Sequence, residues 1–216
     1  MKVIIAGSTG MIGKLILEKC LQSNQISEIT TLVRKPSPEN KNDKIKEIIV
    51  SNFEDFSGSP TVFQDIDIAF FCIGAYTGQV ADDLFKKITV NYAVSFSEAL
   101  KNESPNATLC FLSGAGADRT EKSRTAFARY KGMAENRIAK TGLTFHSFRP
   151  GYIYPVTPRK EPNMMYKIFR ILYPILKLLG KNASIKSTEL AQAMFLVGLH
   201  GADKEILENK DIFNQL

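Results

Sequence analysis

Val3-Ile4-Ile5-Ala6-Gly7-Ser8-Thr9-Gly10-Met11-Ile12-Gly13 sets the architecture of this chain. Four apolar residues, enough for a short buried strand, run into three glycines spaced three apart. A helical pattern opens at once, with Ile12, Leu15, Ile16 and Cys20 at steps of three and four within Met11 to Gln22. Strand, glycine turn and helix start in that order form a cradle for a pyrophosphate. Gly7 lets the chain turn sharply, Gly10 lets the backbone approach the phosphates, and Gly13 lets the helix pack tightly on the strand. Ser8, Thr9, Met11 and Ile12 complete the loop, and the amides at the positive end of the helix face the negative charge.

The same alternation continues to the C-terminus. Short continuous apolar runs, the mark of parallel strands covered on both faces, occur at Ile29 to Val33, Ile45 to Val50, Ile68 to Ile73, Ala107 to Leu112 and Thr144 to Phe148. Helical patterns separate them at Ala81 to Leu100 and Glu121 to Lys140. The predicted fold class is α/β, a Rossmann-like doubly wound parallel sheet. Lys35 to Asn42 reads as a surface loop, so residues 1–216 are expected to form a single domain. After Gly151 the pattern changes. A helix over Met164 to Gly180, kinked at Pro174, and a helix over Ser187 to Leu199, capped by Ser187 or Thr188, are expected to form a C-terminal region (151–216) covering the substrate.

Composition narrows the function. The 216 residues carry a net charge of +6, yet no Lys/Arg run exceeds a pair and none is interleaved with aromatics, so a nucleic-acid groove is not expected. The basic balance suits anionic cofactors and substrates. Cys20, Cys72 and Cys110 are far apart, and His146 and His200 lack neighbouring ligands, so no metal is expected and the cysteines read as reduced. Val3 to Ala6 is too short for a signal sequence, and no apolar run approaches the roughly 18 residues that span a bilayer. A cytoplasmic location follows as the expectation. The apolar stripe within 164–181, flanked by cations, reads as a lid over the cleft or a subunit contact in a homodimer, ahead of a membrane contact.

The second strand ends in Val33-Arg34-Lys35, without the acid that usually receives the ribose hydroxyls of NAD. Arg34 offers a planar fork for a 2′-phosphate and Lys35 a second charge, so NADP(H) is the expected cofactor and NAD the lesser one. Ligands of such sheets lie beyond the carboxyl ends of the strands. Those ends carry Asn52 and Phe53, expected beside the adenine, then Gly74 and Ala75, expected beside the ribose and nicotinamide, and then Ser113.

The glycine spacing, Arg34, Phe71-Cys72-Ile73-Gly74, Leu112-Ser113-Gly114-Ala115-Gly116-Ala117-Asp118, Lys131-Gly132 with Glu135 beyond, Phe148-Arg149-Pro150-Gly151 and Glu205 to Lys210 together resemble the atypical and extended short-chain dehydrogenase/reductases. The likeness is greatest to the Tat-interacting protein group, which binds NADPH. It implies that Ser113 orients the substrate, that Lys131 binds the nicotinamide ribose, and that Pro150 and Gly151 shape the loop against the nicotinamide. In that family a tyrosine four residues before the lysine handles the proton, since positions i and i+4 share a helix face. Here that position is Phe127.

Tyr130 adjoins Lys131 but diverges from it by about 100° around a regular helix. It serves only if the helix turns it inward. Tyr76, Tyr152 and Tyr154 could offer a phenol from loops around the same cleft. Two functions follow: an NADP(H)-dependent oxidoreductase of a small carbonyl or alcohol, its catalytic residues Ser113, Lys131 and Tyr130; or an NADP(H)-sensing regulator that has lost the chemistry.

Overall fold

The computed structural model describes residues 1–36, 42–75, 78–157 and 183–216. Its strands are β1 (Lys2–Ala6), β2 (Glu28–Val33), β3 (Ile45–Ile49), β4 (Ile68–Phe71), β5 (Thr108–Leu112), β6 (Thr144–Arg149), β7 (Tyr152–Tyr154), β8 (Ser184–Lys186) and β9 (Ile206–Glu208). The helices are α1 (Met11–Gln22), α2 (Asp82–Lys86), α3 (Tyr92–Glu103), α4 (Ala126–Lys140), α5 (Ser187–His200) and α6 (Asn209–Phe213). Seven strands form one parallel sheet in the order β3-β2-β1-β4-β5-β6-β9. The order reverses between β1 and β4, and the loop that opens α1 leaves β1 at this switch point, where ligands of such sheets bind.

Both faces are covered. On one side α1 and α5 bury Ile12, Ile16, Leu190 and Met194 against Val3, Ile5 and Phe70. On the other, the packing of α3 and α4 includes an aromatic column in which Phe96 lies 5.3 Å from both Phe63 and Phe71, and Phe71 lies 6.0 Å from Phe111. Each such fully buried ring contributes on the order of 1.5–3 kcal/mol, so the strand ends that carry the site stand on a close-packed support.

Several expectations need correction. The long second helix is interrupted by a π-turn at Lys87–Asn91, and an inserted residue of this kind is invisible to a periodicity count. Helix α4 starts at Ala126 rather than Glu121. The Asp118 carboxylate accepts bonds from the amides of Thr120, Lys122 and Ser123, holding residues 118–123 as a turn with Glu121 at φ 62°. Lys186, not Ser187 or Thr188, caps α5; its amide donates to Glu189 at 3.0 Å, which makes Ser187 the first helical residue. Within the described residues 183–216, α5 belongs to the core and β9 extends the sheet beyond β6. The helix expected at Met164 to Gly180 lies outside the described residues. Among the described residues no helix is long and apolar enough to cross a membrane.

Candidate functional site

The glycine turn has the geometry its spacing implies. Gly7 adopts φ +91°, and a Cβ there would meet the Cys72 backbone at 2.9 Å. A Cβ on Gly13 would lie 2.1 Å from the Gly7 carbonyl oxygen, so any side chain would force helix and turn apart. The Gly10 amide donates to Gly7 O at 3.0 Å and closes the turn. No side chain caps α1 and no acid stands in its first turn, which leaves the positive helix end unquenched. Ser8 Oγ is buried without a partner in the described structure, an orphan donor that a phosphate oxygen would satisfy. Ile12, in contrast, turns its side chain into the core, so only its amide can serve a ligand.

Arg34 and Lys35 are exposed beyond β2. Asn52 is exposed and its Oδ1 accepts the Glu54 amide at 3.0 Å, which fixes the loop after β3. Phe53, expected to pack near the adenine, is turned inward. It is 4% exposed, with its ring against Phe56 and Tyr92, because burying a benzyl group outweighs leaving it in an open cleft. A groove of about 350 Å³, lined in part by Leu32, Val50, Ser51 and Asn52, opens beside these strand ends. Gly74 has no atom within 4 Å of where its Cβ would stand, and Ala75 packs beside Phe85 and Tyr130. Tyr76 lies outside the described residues.

On the far side of the cleft α4 presents Lys131, 7% exposed. Its Nζ donates to Leu112 O at 2.7 Å and sits 4.9 Å from the Phe111 ring centre. Burial pulls its pKa down to about 8, against the opposing pull of Glu135 and Cys72. One turn earlier Phe127 lies against Gly114; a Cβ on that glycine would come within 2.4 Å of the ring's Cζ. Tyr130 turns away toward α2, donating to Asp82 Oδ2 at 2.5 Å with Arg129 over its ring. The helix is regular here and does not turn Tyr130 to the Lys131 face.

Ser113 is also committed. Its hydroxyl donates at 2.6 Å to Glu135, a carboxylate with no exposed surface that also receives Ser147 Oγ at 2.7 Å, Arg149 Nε at 3.0 Å and Arg149 Nη2 at 2.5 Å. Arg149 continues to Glu208 at 2.9 Å. Burial alone would raise the Glu135 carboxyl, but the bonds from Arg149, Ser113 and Ser147 hold it below its ordinary value. Glu135 is the residue the sequence reading left without a role. Its signal was present, four residues after Lys131 and so on the same face of α4. Ser113→Ala should therefore cost about 1.5–3 kcal/mol in urea unfolding, the worth of a bond to a charged group. A loss under 0.5 kcal/mol would mean the hydroxyl is free for substrate.

The loop after β6 is pinned from two sides. Pro150 O accepts the Ala115 amide at 2.9 Å, and the Gly151 amide donates to Asn209 Oδ1 at 2.8 Å, while Asn209 Nδ2 reaches Ser184 O on β8. Tyr152 and Tyr154 lie on β7, paired with β8. His146 is buried with Nδ1 against Lys204 O. Among the described residues no cluster of histidines, cysteines and acids could hold a metal.

A pyrophosphate cradle at the switch point of a parallel sheet, facing a helical lysine across the cleft, defines a nicotinamide-dinucleotide-binding protein. The chain belongs to the NAD(P)H-binding family, which it matches over residues 7–170, within the atypical short-chain dehydrogenase/reductases. It is similar to Protein HTATIP2 of Rattus norvegicus, 27% identical over 222 residues that cover 98% of this chain and 88% of that one. Gre2 of Candida albicans, solved with NADPH, shares the fold at a TM-score of 0.73 with 13% identity, over 96% of this chain and 77% of its own. UDP-glucuronic acid 4-epimerase of Bacillus cereus, solved with NAD, does so at 0.71 with 15% identity, over 96% and 76%.

Proposed function

We propose that this protein is an NADP(H)-dependent oxidoreductase of a small carbonyl or alcohol compound. The observation that carries the cofactor choice is the end of β2, where exposed Arg34 and Lys35 stand and no acid does. A guanidinium pairs two oxygens of a phosphate at once, whereas the ribose hydroxyls of NAD favour a carboxylate. The bound nicotinamide would supply or accept hydride. The chain's part is to hold the pyrophosphate on the Gly7 to Gly13 loop, the 2′-phosphate at Arg34, and the nicotinamide ribose at Lys131.

Arg34→Ala is expected to weaken NADPH binding by about 1.5–3 kcal/mol, roughly 10- to 150-fold, while changing NADH binding less than about 3-fold. Fluorescence titration with both nucleotides reads this directly. Equal losses would show that the 2′-phosphate is not recognised at Arg34.

One observation favours a second reading. With Phe127 in the tyrosine position and Ser113 bonded to Glu135, the chain could act as an NADP(H)-sensing regulator. Single-turnover mixing with NADPH and a panel of carbonyl compounds separates the two. Tight NADPH binding without turnover in wild type and Phe127→Tyr would favour the regulator.

A further inference from the structure

The position from which related chains pass a proton holds a benzyl ring here. Phe127 has no acidic hydrogen, and its ring lies against Gly114. Ser113 gives its single hydroxyl hydrogen to Glu135, and Tyr130 gives its own to Asp82. One turn beyond Phe127, on the same face of α4, stands the Lys131 ammonium. Its Nζ donates to the carbonyl of Leu112, the last residue of β5, and it feels Cys72, the residue that follows β4. The ammonium therefore sits at the carboxyl edge of the sheet, the side on which ligands of such sheets bind. Two residues past Cys72 that edge is open: among the described residues, no atom comes within 4 Å of where a Gly74 Cβ would stand.

An ammonium has three hydrogens, and among the described residues only Leu112 O takes one. The remaining two let it hold the nicotinamide ribose and serve a substrate oxygen together. The charged or titratable groups that act on it are Glu135 from its own helix, itself engaged by Arg149 of β6, and Cys72. From β5 it meets Leu112 and Phe111, neither of them titratable. Burial brings the ammonium to about 8, against the raising effects of Glu135 and Cys72. An ordinary phenol titrates near 10, so this lysine releases a proton more readily than a tyrosine does. An acid works best when its pKa lies close to the operating pH.

We propose that Lys131 is the proton donor of this site, passing an ammonium hydrogen to the substrate oxygen in reduction and taking it back in oxidation; this rests on the oxidoreductase reading above. The carbonyl carbon gains hydride from NADPH, which is oxidised to NADP⁺. The carbonyl π pair moves onto oxygen, an O–H bond forms there, and an N–H bond of Lys131 breaks. The neutral amine recovers its proton from solvent, so carbonyl, NADPH and H⁺ become alcohol and NADP⁺. Tyr152 and Tyr154, on β7, are the competing donors.

Single-turnover rates at saturating nucleotide read both directions across pH 8, with 4-nitrobenzaldehyde and NADPH, then 4-nitrobenzyl alcohol and NADP⁺. Reduction needs the ammonium, so its rate should be full below that pH and fall about tenfold per unit above it. Oxidation needs the amine, so its rate should rise to the same pH and then level. A lysine that only binds the ribose would lose its charge at high pH and slow both directions alike. Lys131→Arg keeps the charge but releases no proton near neutrality, and should slow reduction about 10²–10⁴-fold and remove the break. A reading without turnover comes from NMR of the nucleotide-free protein carrying ¹³C at the lysine ε-carbons. One resonance, absent in Lys131→Arg, should titrate near 8 rather than at the ordinary value of about 10.4. The wild-type profiles and titration stand even if that variant fails to fold.

A flat reduction profile, a fall in both directions, or a protein in which every lysine titrates in its ordinary range overturns the inference. So does a break removed by Tyr152→Phe or Tyr154→Phe and kept by Lys131→Arg, which gives the proton to that phenol. Each of these leaves the oxidoreductase reading intact. Absence of turnover with the aldehyde and with the carbonyl panel overturns both, while tight NADPH binding would keep the regulator. Absence of NADPH binding removes the cofactor reading itself.

Discussion

Glu135→Leu is expected to destabilise the protein by roughly 3–5 kcal/mol, because it strands a mostly buried guanidinium. Arg149 gives two of its nitrogens to Glu135 and keeps only Glu208, half exposed, once that carboxylate is gone. Ser113 and Ser147 lose their acceptor in the same step. For a chain of this size each kcal/mol moves the melting temperature about 2–4 °C, so a fall of roughly 6–20 °C is expected in a thermal scan.

The pH dependence has a definite sign. The folded-state pKa of Glu135 is depressed, so its contribution is present above the unfolded carboxyl value of about 4.3 and is lost as pH falls through the lower folded value. The gap between wild type and variant should narrow below about pH 4. A variant of wild-type stability at neutral pH would show that the network is solvated and weak.

Gly13→Ala is expected to lower NADPH affinity about 100-fold or more, near 2.8 kcal/mol at 1.4 kcal/mol per decade. The added carbon would stand 2.1 Å from the Gly7 carbonyl, so the turn must open and the amides of α1 must leave the phosphates. Stability also falls, and a control separates the two effects. Gly198→Ala places a carbon 2.9 Å from Ile68 Cγ2 and Phe70 Cζ, in the packing of α5 on β4 and outside the glycine turn. It should cost about 1–3 kcal/mol of stability through overpacking yet leave the NADPH Kd within about 3-fold. Equal losses of affinity in both variants would mean that the glycine loop acts only through the fold.

Much of the architecture was legible because it depends on local physics. A buried parallel strand must be apolar along its length, and a turn that admits phosphates must lack side chains. The six strands and the glycine turn follow from those two requirements, and helical periodicity with capping signals places the helices expected over Met11 to Gln22 and Ser187 to Leu199, observed as Met11–Gln22 and Ser187–His200. The π-turn, the start of α4 and the cap of α5 were not legible. The π-turn is an inserted residue that breaks the period, and the other two are set by hydrogen bonds of single side chains, Asp118 and Glu189, that leave no periodic trace.

The primary structure by itself determined a strand, a glycine turn over Gly7 to Gly13 and a helix start in that order, and the family resemblance alone led to the expectation that Phe127 stands where related chains have a phenol. Only the folded arrangement could decide what surrounds that position. Whether Ser113 meets a substrate or Glu135, whether Tyr130 faces Lys131 or Asp82, and whether Phe53 lies in the cleft or the core are choices between partners 22 to 48 positions apart or between faces of one loop. Such choices are made by burial. A side chain takes whichever partner removes the most apolar surface from water without leaving a polar atom unpaired, and that comparison exists only once the sheet has brought the candidates together.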